Sequence, residues 1–91
     1  MTVAAKTYVR CRVLLGFFDS EYLVVIDASS AFVDRSNVKV TSLPQRDREV
    51  DGKVLAYLVD EKRGQALIEL PGQPVVGSLR SWVPKSQLAS A

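Results

Sequence analysis

Between Lys6 and Leu15 apolar and polar positions alternate. Thr7, Val9, Cys11, Val13 and Leu15 share one face, and Lys6, Tyr8, Arg10, Arg12 and Leu14 share the other. Period-two alternation rich in β-branched residues predicts a half-buried strand. Gly16 ends it, and Phe17-Phe18-Asp19-Ser20 reads as a loop. Adjacent aromatics point to opposite sides of a strand, so one is expected to fold over the barrel end, or both to pack at a bulge. Glu21 to Ile26 is a second strand, apolar on both faces; Asp27-Ala28-Ser29-Ser30 has turn chemistry, and Ala31-Phe32-Val33 is a short third strand. Asp34-Arg35-Ser36-Asn37 then makes a compact corner of one 3-10 turn, and Val38-Lys39-Val40 closes the first half. Thr41 to Glu49 carries Pro44 and charges of alternating sign, with Leu43 as its apolar residue, and reads as a solvated linker.

The pattern then starts again. Val9-Arg10-Cys11-Arg12-Val13-Leu14 aligns with Val50-Asp51-Gly52-Lys53-Val54-Leu55, and Glu21-Tyr22-Leu23-Val24-Val25-Ile26 with Gln65-Ala66-Leu67-Ile68-Glu69-Leu70. The corner returns most clearly: Phe32-Val33-Asp34-Arg35-Ser36-Asn37-Val38 matches Trp82-Val83-Pro84-Lys85-Ser86-Gln87-Leu88. Extra residues fall around Asp60 to Gly64 and around Pro71-Gly72-Gln73-Pro74, where loops are expected. Self-similarity of this kind points to a duplicated supersecondary unit. The alternative is one eight-strand domain with two similar corners. Helical periodicity is almost absent, and strand-turn clusters recur at the spacing of a small sandwich or barrel.

Trp82-Val83-Pro84-Lys85-Ser86-Gln87-Leu88 resembles the end of a Src-homology-3 domain, which runs glycine, aromatic, aliphatic, proline, any residue, Ser/Asn, tyrosine, aliphatic. Phe32 to Val38 resembles it without the proline. The resemblance implies a chain that leaves a strand, makes one 3-10 turn and re-enters a barrel-closing strand, with proline fixing φ at the corner. It does not extend to the peptide groove. Gln87 and Asn37 stand where the groove tyrosine belongs, and the Ala-Leu-Tyr-Asp-Tyr segment and paired tryptophans are missing, which argues against binding of PxxP peptides. The expected fold is all-β: two tandem Src-homology-3-like half-units packed together, or one fused small barrel of about eight short strands. The expected division is residues 1–43, a linker 44–49 and residues 50–91, with a single domain 1–91 as the alternative. The expected inward set is Val9, Cys11, Val13, Leu23, Val25, Val33, Val54, Leu67, Val83 and Leu88.

With 47% hydrophobic residues, the 91-residue chain can build a core without metal or disulfide staples. The longest apolar run, Leu23-Val24-Val25-Ile26, is strand length, so no membrane association is expected. Net charge is +2, too balanced to mark a dedicated nucleic-acid binder by itself. One cysteine excludes an intramolecular disulfide and fits a reducing compartment; with no secretory pattern at the start, the expected location is the cytoplasm. With no histidine there is no imidazole base and no Cys-His or Ser-His pair. Nucleotide loops and metal-ligand spacings are absent from the sequence too, so no catalytic, metal or cofactor site is expected.

Two surfaces stand out. Trp82 with Arg80, two positions earlier on the same strand face, is a candidate protein contact, since Trp and Arg are enriched at interface centres. An open strand edge would serve the same role, for an unidentified partner or a second copy. Lys6, Tyr8, Arg10 and Arg12 form a cationic strand face with an aromatic, the chemistry of phosphate contact plus base stacking. Asp19, Glu21 and Asp27 lie close enough in sequence to neutralise it. The leading expectation is a non-catalytic protein-interaction or adaptor module; the alternative is a small nucleic-acid-binding β-barrel.

Overall fold

The computed structural model describes residues 5–90. Nine strands follow in order: β1 (Ala5–Leu15), β2 (Glu21–Ile26), β3 (Ser29–Asp34), β4 (Val38–Val40), β5 (Val50–Lys62), β6 (Gln65–Glu69), β7 (Gly72–Val76), β8 (Arg80–Pro84) and β9 (Leu88–Ala89). The 3-10 turns Arg35–Asn37 and Lys85–Gln87 interrupt them, and no α-helix occurs among the described residues. All the strands belong to one antiparallel sheet curled into a half-barrel. Its path runs β7-β3-β2-β1-β5-β6-β8, with β4 paired to β5 and β9 to β1.

The long strands β1 and β5 form the spine. Val9 lies opposite Val54 at its centre, and both are fully buried. From each end of this pair a three-stranded meander departs, β1-β2-β3 one way and β5-β6-β8 the other. After its 3-10 turn each meander sends a short strand back across the spine. β4 pairs with β5 through Val38 opposite Val54, and β9 pairs with β1 through Leu88 opposite Val9. β4 therefore completes the other half of the molecule rather than its own. The buried residues accordingly form one cluster drawn from both halves, including Val9, Val13, Val24 and Val33 with Val54, Ile68 and Val83.

Alternation placed the middle of β1 correctly: Val9, Cys11 and Val13 are buried while Arg10 and Arg12 are exposed, whereas Leu15, assigned to the inward face, is exposed. It misplaced β2 and β6. Tyr22, Val24 and Ile26 face the core, as do Ala66 and Ile68; Leu23, Val25 and Leu67 lie on the outer face, half-buried. Register decides this, because Val24 pairs with buried Val13 and must share its face. Leu88 is half-buried and packs against the cluster. Phe17 and Phe18 enter neither the core nor a bulge. Both are exposed, and the Phe17 ring lies tilted against Phe32 at 5.2 Å on the outer face.

The stretch expected to be a loop, Pro71-Gly72-Gln73-Pro74, instead leads into strand β7, Gly72–Val76. It leaves the β6–β8 connection and pairs with the edge of β3, fastening the second half to the first. Gly72 permits this: a Cβ there would lie 2.1 Å from the Phe32 carbonyl oxygen. Among the described residues β8 pairs with β6 alone, which leaves its other edge open. The bonds from Leu70 N–H to Leu79 O and from Lys85 N–H to Gly64 O fix the alternation, so that Arg80, Trp82 and Pro84 present their backbone outward. Pro84 has no N–H, and the Arg80 N–H donates to Ser78 Oγ at 3.1 Å. Trp82 is left as the one outward position of that strand with an uncommitted N–H. Among the described residues, no helix is long and apolar enough to cross a membrane.

Candidate functional site

The outer face of the spine carries the strongest electrostatic feature. Arg10 on β1 lies directly opposite Lys53 on β5, and Lys53 lies directly opposite Lys39 on β4. Alternation explains each orientation: Lys39 stands between inward Val38 and Val40, and Lys53 precedes fully buried Val54. Like charges at directly opposite positions disfavour pairing by about 0.2–1 kcal/mol each. Among the described residues, no carboxylate comes within ion-pair distance of Arg10, Lys39, Lys53 or Lys6.

Weaker acceptors partly offset the row. Tyr8, next to Arg10 along the outer face, has Lys39 Nζ 5.1 Å and Lys53 Nζ 5.4 Å from its ring centroid. Such contacts contribute about 0.5–1 kcal/mol at exposed sites. Lys6 Nζ lies 5.9 Å from the Tyr57 ring, whose backbone it opposes. Arg10 Nη1 donates to the Ser86 carbonyl at 2.9 Å, and Lys53 Nζ to the Ser90 carbonyl at 2.6 Å. Gln87 Nε2 returns a bond to the Arg10 carbonyl at 3.0 Å, so the last corner is tied to the row. The cations border a shallow cavity of about 330 Å³ with Thr41, Asp51 and Gly52 in its lining. A second cavity of about 430 Å³ opens on the other side of Arg10, where the β1 edge passes from Leu88 to Val25 and leaves Cys11 at its wall.

Of the residues anticipated for this face, Lys6, Tyr8 and Arg10 belong to it. Arg12 does not act as a free cation: its Nη1 donates to Glu49 Oε1 at 2.7 Å. Lys39, Lys53 and Tyr57 were not anticipated. Their outward positions are readable from their apolar neighbours, but only the register of β4 on β5 brings them to Tyr8. Trp82 and Arg80 do share the outer face of β8, yet both are engaged. Arg80 Nε donates to Glu69 Oε1 at 2.8 Å, and Lys62 Nζ sits 4.8 Å from the Trp82 ring centroid.

Cys11 is buried at the centre of β1, and burial pushes its thiol up to about 12, so it stays protonated near neutrality. No grouping of three or more metal-ligand side chains occurs among the described residues. Comparison with protein-family models, curated proteins and solved structures finds no match.

Proposed function

We propose that the chain is a non-catalytic binding module whose ligand is a polyanion, with a nucleic-acid backbone as the best fit. The observation that carries this reading is the row Arg10–Lys53–Lys39: three cations facing one another across three strands with, among the described residues, no carboxylate in ion-pair contact, although Asp51 borders the same cavity. The repulsion within the row is a cost to the fold, and phosphates relieve it while releasing their own counterions. The test is retention on a nucleic-acid matrix at low salt. Three to four phosphate contacts give a log–log salt slope of about −3, and the double variant Lys39→Gln, Lys53→Gln flattens it by about 2. A folded chain that binds no polyanion at low salt would rule the reading out.

The scaffold of this module is read as two tandem Src-homology-3-like units that share their spine. Three features support that reading. β2 pairs with β3 as β6 pairs with β8, with Glu21 opposite Asp34 and Gln65 opposite Pro84. The corners have nearly the same backbone, Asp34 at φ −57°, ψ 137° and Pro84 at φ −57°, ψ 141°. β4 and β9 cross the spine in the same manner. The pairing favours Val9 with Val54 as equivalents, in place of the Val9 with Val50 that sequence comparison suggested. In this reading β5 supplies the first strand of one unit and β1 the first strand of the other. The module is read as cytoplasmic, on its single thiol, and as a monomer or an edge-strand homodimer, since the sheet ends on β7 and β8.

A protein contact at Trp82 and Arg80 is the second reading. It is favoured by the open Trp82 backbone on the β8 edge and disfavoured by the commitment of both side chains. It predicts a partner that survives moderate salt and is lost in Trp82→Ala.

A further inference from the structure

Building on the polyanion reading, we infer that the ligand is a single strand of nucleic acid whose bases stack on Phe17 and Phe18. The outward residues of β1 make a continuous track: Tyr8, Arg10, Arg12 and Leu14, leading to Gly16 and the two phenylalanines. Exposed aromatics of this size on a small domain call for an explanation: Phe17 is 85% exposed and Phe18 70% exposed. They do not sit on a loose loop. The Phe17 N–H donates to Glu21 Oε2 at 3.2 Å, and the Glu21 N–H donates to the Phe18 carbonyl at 3.2 Å. Gly16 is pressed so close to Glu21 that a Cβ there would meet its Cγ at 2.6 Å. Phe17 is further propped against Phe32. Two rings held outward by a braced loop are preorganised platforms, and unpaired bases are flat partners that every sequence offers.

Access to the base faces distinguishes a single strand from a duplex. Three cations face one another at the Arg10–Lys53–Lys39 end of the track, and Arg46 with Asp47 borders Leu14 and Gly16 towards the other. Arg12 is neutralised by Glu49, and Asp19 and Glu21 flank the phenylalanines. A duplex lying along the track would keep its base faces stacked inside and offer none of them to the rings. A single strand places phosphates in the cationic groove and bases on the loop. From Arg10 to Phe17 the strand rise gives about 20 Å, room for a short stretch on the order of 4 nucleotides.

The experiment is fluorescence anisotropy at low salt with a labelled oligothymidylate of about 12 nucleotides, a duplex of equal length, and anionic phospholipid vesicles as a third probe. The expected result is a preference of at least about tenfold for the single strand. Phe17→Ala, Phe18→Ala should lose about tenfold per ring on the single strand with its salt slope unchanged, and Phe17→Tyr, Phe18→Tyr should restore binding. Lys39→Gln, Lys53→Gln should weaken both nucleic acids and lower the slope. Far-UV circular dichroism and Trp82 emission verify that each variant is folded. Equal binding of strand and duplex, indifferent to the phenylalanines, overturns this inference and leaves the polyanion reading standing. Vesicle binding that depends on the phenylalanines, without a single-strand preference, overturns it too. Absence of binding to every polyanion removes both.

Discussion

Truncating a core residue in one half should unfold the other half at the same temperature. Val33 on β3 is 1% exposed and belongs to the first meander, whereas Trp82, the single tryptophan, reports from the second. Val33→Ala removes the equivalent of two methylenes, about 1.6 kcal/mol of transfer free energy. The cavity left behind raises the cost to about 2–3 kcal/mol. For a domain of this size that lowers Tm by about 10–20 °C. Transmission to Trp82 follows from the pairing: β4 is hydrogen-bonded to β5, β9 to β1, and β7 from the second half to β3 itself. Neither meander can separate without breaking ladders that belong to the other. The assay is thermal unfolding followed in parallel by far-UV circular dichroism and by Trp82 fluorescence, for the parent and for Val33→Ala. The two probes should coincide in both proteins and move together. A Trp82 transition that stays at the parent temperature while the dichroism shifts would refute the interlocked core.

Three further outcomes follow. Gly72→Ala should detach β7 and destabilise the chain by about 1–3 kcal/mol, because the Phe32 carbonyl that a Cβ would strike is backbone and cannot swing aside; faster amide exchange at Phe32 checks it. Asp34→Pro should retain the fold, since Asp34 already has φ −57°. The exchange gives up the bonds that Asp34 Oδ1 accepts from Ser36 N–H and Oγ, which hold the Asp34 carboxyl below its ordinary value, and with them the stabilisation they add above that value; the melting curves of parent and variant should therefore converge as pH falls. The buried Cys11 thiol, pushed from 9.0 to about 12, contributes stability that is fully present below pH 9.0 and lost as pH rises towards 12, where the unfolded chain releases a proton the folded chain keeps. The difference between parent and Cys11→Ala in unfolding free energy from urea titrations should shrink there by about 1.4 kcal/mol per pH unit; a constant difference would contradict the burial.

The sequence revealed some of this and concealed the rest for identifiable reasons. β1 was legible because one of its faces is basic, so inside and outside differ in chemistry. β2 and β6 were not, because Leu23 and Val24, like Leu67 and Ile68, are equally apolar, and only the partner strand selects between them. β7 was hidden because all five of its residues are exposed, leaving no periodicity, while Gly72 and Pro74 advertise a turn. Both corners were legible, since Asp34-Arg35-Ser36 and Pro84-Lys85-Ser86 carry local chemistry that needs no partner. The site was half legible. Tyr8 and Arg10 announce themselves on one strand, but Lys39 and Lys53 join them through pairings between segments remote in sequence. Arg12 lost its place because the end of the linker delivers Glu49 to it.

The restricted edge of β8 reaches beyond the single molecule. An open sheet invites copies to add without limit, each offering the next a fresh template, and the outcome is a fibril. Here Pro84 lacks the donor and Arg80, four places back, has already spent its own on a serine hydroxyl, which leaves Trp82 between them as the outward donor. A residue with an N–H in place of that proline would add a second outward donor to this edge, and its first expected sign is turbidity at high concentration rather than unfolding.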